Sequence, residues 1–310
     1  MQSQTVAIVT EAIRYIESHL SAPLGLDQVA AALHYSKYHL HRSFTKTAGI
    51  TLHDYVSRRR LTEAARLLTD TRRPILDIAF QSGYGSQQAF TDSFRAMYKT
   101  TPARFRETEA FYPLQHALRL QECPFRLHLP KENIRPAAPQ DLDDWMELLG
   151  LSVDGYPRLN EAEYRKDLRR HMDAGEAFLL QDDDRVVGAL AFTAAGGHVE
   201  FLAVHPQYRS LGVAGLLLDK LREDLLPGSP LTITTYRKGD RADTGYREEY
   251  RRLGFQEQEL SVEYGYPVQR FTLPPGNISA QNVGSIFRQT SGHPSGPTPR
   301  HKEETSREPD

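Results

Sequence analysis

Cysteine is almost absent. The 310 residues hold one, Cys123, so no disulfide can form within the chain and a reducing, cytoplasmic setting is expected. Long apolar runs are missing too. None approaches the roughly 18 residues that a membrane span needs, and no membrane partner is expected. The opening residues M-Q-S-Q-T-V-A-I-V-T-E lack a basic segment and meet Glu11 early, which does not fit a secretory leader. Nor is there an excess of one charge: 38 Lys and Arg against 40 Asp and Glu leave −2. The balance is uneven along the chain, however. Residues 1–115 hold 14 Lys and Arg against 10 Asp and Glu, and the remainder holds 24 against 30. A basic first part joined to an acidic second part is a mild pointer towards a phosphate-facing module.

What is present suits two globular domains. Hydrophobic residues make up 39% and charged residues 25%, a normal supply for buried cores. The most informative stretch runs from Pro74 to Arg106. Ile75, Ile78 and Ala79 fall at helical spacing. Ser82-Gly83-Tyr84-Gly85 breaks that helix, with Gly83 free to take a positive φ. Ser86 is placed to cap a second helix whose inward stripe is Phe90, Phe94, Met97 and Tyr98. Gln87, Gln88, Thr91 and Asp92 face outward near its start. Helix, Gly turn and helix with amides at the second N-terminus is the layout of a base-reading helix-turn-helix. Gln can bond the N6 and N7 edge of adenine in a bidentate way. Alone, the same pattern also fits a helical hairpin with a solvated face.

The pattern occurs twice. Val6 to His19 and Asp27 to Leu33 read as helices, His34-Tyr35 as a turn, and Ser36 as the cap of a third helix closed by Gly49. Leu40 and Phe44 face in; Tyr38, His41 and Arg42 face out. One long helix, about His53 to Leu68, joins the two units. This doubled arrangement, over roughly residues 6 to 108, resembles the DNA-binding domain of AraC/XylS-type transcription regulators. The motifs are A-x-x-x-x-x-S-x-x-x-L-x-R-x-F from Ala30, R-L-x-x-A from Arg60, I-x-D-I-A-x-x-x-G-Y from Ile75, S-Q-x-x-F from Ser86 and F-R-x-x-Y from Phe94. The resemblance implies an all-α double helix-turn-helix whose linker helix holds two recognition helices for successive major grooves of double-stranded DNA. It places Tyr38, His41 and Arg42 on the first and Gln87, Gln88 and Thr91 on the second. Arg42 can bond guanine O6 and N7, worth about 1–3 kcal/mol of discrimination. Lys37, Arg58, Arg59, Lys99 and Arg104 are expected to meet phosphates. Asp92 departs from the basic or polar residue usual there; a carboxylate is repelled by phosphate but can accept from cytosine N4.

From Lys131 the pattern changes to strands alternating with helices. Ile134–Pro136, Ala177–Gln181, Val186–Thr193 and Val199–Val204 read as strands, and Pro139–Leu149 and Asn160–Asp173 as helices. Between His198 and Leu221 a strand runs into small residues that open a helix. Such a helix start offers free N–H groups to a pyrophosphate. V-x-P-x-x-R-x-x-G-V-A from Val204, with Y-R-R-L-G-F from Tyr250, resembles the acetyl-CoA signature of GNAT N-acetyltransferases over about residues 131 to 273. The fold implied is α/β (α+β) with a mixed central sheet. By the resemblance, the backbone of Leu202, Ala203 and Val204 pairs with the pantetheine arm. The amides of Arg209, Ser210, Leu211, Gly212, Val213, Ala214 and Gly215 hold the pyrophosphate.

Amine attack on a thioester needs a base and an acid. Glu200 is the best base, or else a solvent-facing strand residue; Tyr250 is the best acid, or else a packed ring. Tyr246 stands where a small residue is common. No metal site is expected. The expected division is 1–110 for the double helix-turn-helix, 111–130 for a linker, 131–274 for the GNAT domain, and 275–310 for a disordered tail rich in Gly, Ser, Pro and charge. Together the two resemblances imply a regulator, monomer or homodimer, whose second domain acetylates a small amine or senses an effector. Alternatives are an inactive sensor and an amine- or drug-modifying enzyme that controls its own gene.

Overall fold

Helices with matched caps build the first part of the chain. The computed structural model describes residues 2–108, 111–120, 129–152, 161–263 and 265–275. The expected tail, from residue 276, and residues 121–128 of the expected linker lie outside the described residues. The helices are α1 (Gln2–Ser18), α2 (Leu26–Ala32), α3 (Lys37–Ala48), α4 (Leu52–Asp70), α5 (Ile75–Gln81), α6 (Gln87–Tyr98) and α7 (Pro102–Glu107). The Ser36 hydroxyl accepts the His39 N–H and the Ser86 hydroxyl accepts the Ala89 N–H, each at 3.2 Å. Both satisfy a free donor of a first turn. Gly49 ends α3 with φ 76°, and Gly83 turns the chain between α5 and α6 with φ 79°. The Arg60 guanidinium lies so close to Gly83 that a Cβ would sit 2.8 Å from its Cζ. The positive φ selects glycine at that turn, since the atoms that an added Cβ would meet are the movable end of the Arg60 side chain.

Helix α4 serves two cores. Its first half gives Leu52, Tyr55 and Val56 to a cluster with Val9, Ile16, Leu40 and Phe44. Its second half gives Leu61, Ala64 and Leu68 to a cluster with Ile78, Phe90, Phe94 and Phe105. Each unit buries its own apolar stripe, as 3.6-residue periodicity demands.

Three cations expected on phosphate are instead used inside the fold. Arg58 is 2% exposed and donates to the Ala242 carbonyl at 2.7 Å. Arg59 bonds both Glu17 oxygens and Glu63, and donates to the Gln115 carbonyl. Lys99 pairs with Asp240 at 2.7 Å. Their side chains have found partners that cost less than leaving a charge buried and unpaired. Of the two others, Lys37 is exposed and pairs with Asp27, and Arg104 is exposed.

The second part is a sheet covered by helices. Strands β1 (Ile134–Pro136), β2 (Ala177–Asp182), β3 (Arg185–Thr193), β4 (His198–Val204), β5 (Leu231–Tyr236), β6 (Gln256–Glu263) and β7 (Tyr266–Leu273) lie in the order β1-β2-β3-β4-β5-β7-β6. All pairs are antiparallel except β4 with β5, so the sheet is mixed. Helices α8 (Leu142–Ser152) and α9 (Glu161–Asp173) cover one face, packing Trp145, Leu149 and Leu168 on Ala189, Phe201 and Ala203. Helix α10 (Val213–Lys220) packs on β3, where a Cβ at Gly188 would meet Val213 Cγ1 at 2.5 Å. Helix α11 (Tyr246–Arg252) follows β5. The expected helix from Pro139 begins as a 3₁₀ turn, Pro139–Asp141, before α8. Met1–Gly276 falls in one compact unit, so the helical part and the sheet share contacts.

Candidate functional site

Two polar faces stand clear of the helical cores. Tyr38 is 74% exposed, and His41 and Arg42 are exposed beside it on α3. Gln87 and Gln88 are exposed at the start of α6, and Thr91 is half-buried. Leu40 and Phe44, and Phe90 and Phe94, anchor the opposite sides of the same helices. Five of the six side chains expected to face DNA, all but Thr91, are thus left to solvent, and each set follows a Ser cap. Asp92 accepts from Gln88 Nε2 at 3.0 Å. That bond occupies part of the amide that would read a base.

The second candidate site opens where the sheet splits. β4 pairs with β3 from His198 to Val204, but with β5 only at His198 and Thr232. Beyond that vertex the two strands part, and among the described residues the β5-facing backbone groups of residues 200–204 have no strand partner. Phe201 and Ala203 point into the core under α8, so alternation turns Leu202 and Val204 to the other face, while Glu200 stands at a bulge, between Val199 and Phe201, which pair with the adjacent residues Phe192 and Ala191. Leu202 is half-buried; Ala203 and Val204 are buried.

At the far end of β4 the chain enters a 3₁₀ turn, Pro206–Leu211, then Gly212 at φ 75°, then α10. Gly212 is exposed, Leu211 and Gly215 are half-buried, and Val213 and Ala214 are buried. The side chain of Ser210 lies outside the described residues. First-turn N–H groups of α10 lack intrahelical acceptors by geometry, so they and the helix dipole favour an anion there. His205 opens the turn, 3% exposed, and its Nδ1 accepts the Gln207 N–H at 3.3 Å. Burial first, and then the Arg185 and Arg209 cations, push its pKa down to about 4, so the imidazole is neutral.

Glu200 sits near the vertex. Thr193 Oγ1 donates to its Oε1 at 2.8 Å, and His198 Nε2 lies 3.9 Å from its Oε2. The His198 Nδ1 in turn meets Thr232 Oγ1 at 2.9 Å, across the single β4–β5 pair. These partners were invisible to motif reading, because their proximity comes from the hairpin register. Tyr250 is 6% exposed on α11, between the rings of Tyr246 and Phe255. Burial holds its hydroxyl well above the usual phenol range, so it stays protonated and able to donate. Glu249 beside it is also pushed up by burial, against the pull of Arg209.

Arg209 does not point into open solvent. Its Nη2 lies 3.5 Å from the Ser152 carbonyl and 3.4 Å from Tyr246 Oη, and its Cζ is 5.6 Å from the Tyr246 ring centre. The Tyr246 hydroxyl also donates to the Ser152 carbonyl. The unusual residue before Tyr250 is therefore a clamp on the turn. Among the described residues no group of three or more His, Cys, Asp or Glu could hold a metal ion, and no helix is long and apolar enough to cross a membrane.

Comparisons with known proteins divide at the same place. A helix-turn-helix domain family matches residues 29–108, and an acetyltransferase (GNAT) domain family matches residues 152–265. The transcriptional regulator Rob of Salmonella typhimurium is 41% identical over 117 residues, 37% of this chain and 40% of that protein. This chain therefore spans well under half the length of Rob. The regulatory protein SoxS of Escherichia coli K12 is 43% identical over 99 residues, 32% of this chain and 92% of SoxS. Among solved structures, an AraC-type regulator from Chromobacterium violaceum aligns with 29% identity and TM-score 0.32, covering 34% of this chain and 93% of that one. A GNAT-family acetyltransferase from Bacillus cereus aligns with 16% identity and TM-score 0.37, covering 47% and 98%. On the likeness to SoxS along nearly its whole length, the chain belongs to the AraC-type family of helix-turn-helix regulators, here joined to a GNAT domain.

Proposed function

We propose that this chain reads double-stranded DNA through α3 and α6 and transfers an acetyl group from acetyl-CoA to a small amine at the split of its sheet. One observation carries the second half of the reading: β4 and β5 pair at a single position and then diverge. That leaves a strand-like edge at Leu202–Val204 for the pantetheine amides, ending at the amides of Arg209–Gly215 for the pyrophosphate. Acetyl-CoA would supply the activated carbonyl. Glu200 takes the proton from the attacking amine, held in place by Thr193. The nitrogen–carbon bond forms as the carbon–sulfur bond breaks, and Tyr250 gives its proton to the leaving sulfur. A protonated, buried hydroxyl is suited to that task.

Thiol release from acetyl-CoA with a panel of amines tests the reading. Glu200→Gln and Tyr250→Phe should each lower kcat by about 10²–10⁴-fold. No thiol release with any amine removes the catalytic reading. For DNA, a duplex selected from a random pool should lose its advantage over random duplex in Arg42→Ala, by about 1–3 kcal/mol. A variant that discriminates as the parent does removes Arg42 from the reading face.

A further inference from the structure

The GNAT half touches both helical units. On the first, the Arg209 side chain lies against Gly49, the residue that ends α3; a Cβ there would sit 2.8 Å from its Nη1. On the second, the loop between β5 and α11 enters the helical core. Its Ala242 is buried among Leu61, Phe94 and Tyr98. Arg58 donates to the carbonyls of Arg241 and Ala242. On α4, Arg58 stands between the residues given to the first core and those given to the second. Lys99, at the end of α6, pairs with Asp240 at 2.7 Å. Arg241 reaches the other end of that helix. Burial pushes the hydroxyl of Tyr84 up, while bonds to Ser93 and Ser57 and the charges of Arg60 and Arg241 oppose it. Tyr84 lies in the turn that leads into α6. The loop therefore runs along the flank of α6, at the junction of the two units.

Along this loop side chains alternate between the core and solvent. The side chain of Asp240 is 4% exposed and Ala242 is buried, whereas Lys238 and Arg241 are exposed. Neither of those two cations is held in an ion pair among the described residues. Arg58 and Lys99, two cations of the helical part, are thus used to hold a loop that presents two others on the same flank. A helix about 10–12 Å across fills a major groove about 12 Å wide. Whatever packs on the flank of such a helix stands over the wall of the groove, which is phosphate backbone. Two helices in successive major grooves on one face have the backbone of one minor groove between them. A loop at the junction of the two units faces that backbone.

We propose that residues 237–242 of the GNAT half form a third DNA contact, in which Lys238 and Arg241 bind phosphates between the two major-groove sites. The contact adds affinity without sequence preference, since phosphates are alike at every site. This proposal rests on the DNA reading of α3 and α6 and goes beyond it, because the cations come from the other half of the chain.

The test uses the full chain, a duplex selected from a random pool and a random duplex of the same length. Fluorescence anisotropy gives Kd for each over a series of KCl concentrations. In the double variant Lys238→Gln/Arg241→Gln the slope of log Kd against log salt should fall by about 2, roughly one for each cation. Kd should rise by the same factor on both duplexes. Arg241→Lys keeps the charge and should keep the slope. Ethylation of the duplex needs no variant: phosphates between the two sites should interfere with binding by the parent. A double variant with the slope of the parent, or a rise in Kd on the selected duplex alone, overturns the proposal while the DNA reading stands. Ethylation between the sites that leaves parent binding unchanged does the same. If the parent binds neither duplex, the DNA reading fails and takes the proposal with it.

Discussion

At position 205 an imidazole is enclosed at the mouth of the loop, and its neutrality is a condition of the fold. Its Nδ1 accepts a backbone N–H, which a protonated ring cannot do. Folding lowers its pKa from 6.5 to about 4, chiefly by burial and then by Arg185 and Arg209. Between those values the unfolded chain binds the extra proton, so stability is full above pH 6.5 and is lost as pH falls towards 4. The loss is at most about 3 kcal/mol. Asn at this position keeps an acceptor without a titrating group. Urea midpoints from pH 7.5 to 4 should therefore fall less in His205→Asn than in the parent. Two curves that run parallel over that window would show that His205 contributes nothing to the pH dependence.

Helix boundaries and caps were the most legible elements, because their signals are local. Ser36, Gly49, Gly83 and Ser86 all take the roles their residue types suggest. The linker helix was also readable; it runs Leu52–Asp70, two residues longer at its far end than its apolar pattern marked. What could not be read was the use of its cations. Arg58 and Arg59 look like phosphate ligands in a sequence, since nothing local names Ala242, Gln115 or Glu17 as partners. Lys99 is the same case, with Asp240 141 residues away. At the second site the loop and Tyr250 were legible as motifs. The Thr193 and His198 partners of Glu200 came from register, and the grip of Arg209 on Gly49 from tertiary packing. The caps also allow the two helices proposed to read DNA to be compared. Ser36→Ala and Ser86→Ala should each cost about 1 kcal/mol of stability. Each should weaken DNA binding through its own helix, read as a change in contact pattern by hydroxyl-radical footprinting. A footprint that shrinks at the same end for both variants would contradict the assignment of one reading face to each helix.

Across the whole molecule, the shared core predicts how the chain unfolds. Ala242 is 1% exposed and stands among residues of α4 and α6, and Arg58 donates to its carbonyl. Asp240 accepts from Lys99 and from Tyr266, and its side chain is 4% exposed. The loop that leads into α11 is therefore part of the second helical unit, and neither half keeps its surface buried if the other unfolds. The chain has one tryptophan, Trp145, which is fully buried in the GNAT half. Its fluorescence reports that half alone, whereas far-ultraviolet circular dichroism is dominated by the helices α1 to α7. Coincidence of different probes is the mark of a single cooperative transition. The two signals should share one midpoint on heating. Lys99→Met leaves the Asp240 carboxylate without its cation, a loss of roughly 2 kcal/mol, and should lower both midpoints together. If the tryptophan signal melts several degrees apart from the helical one, or if Lys99→Met moves only one of them, the halves are independent and contact between them cannot carry a signal from one to the other.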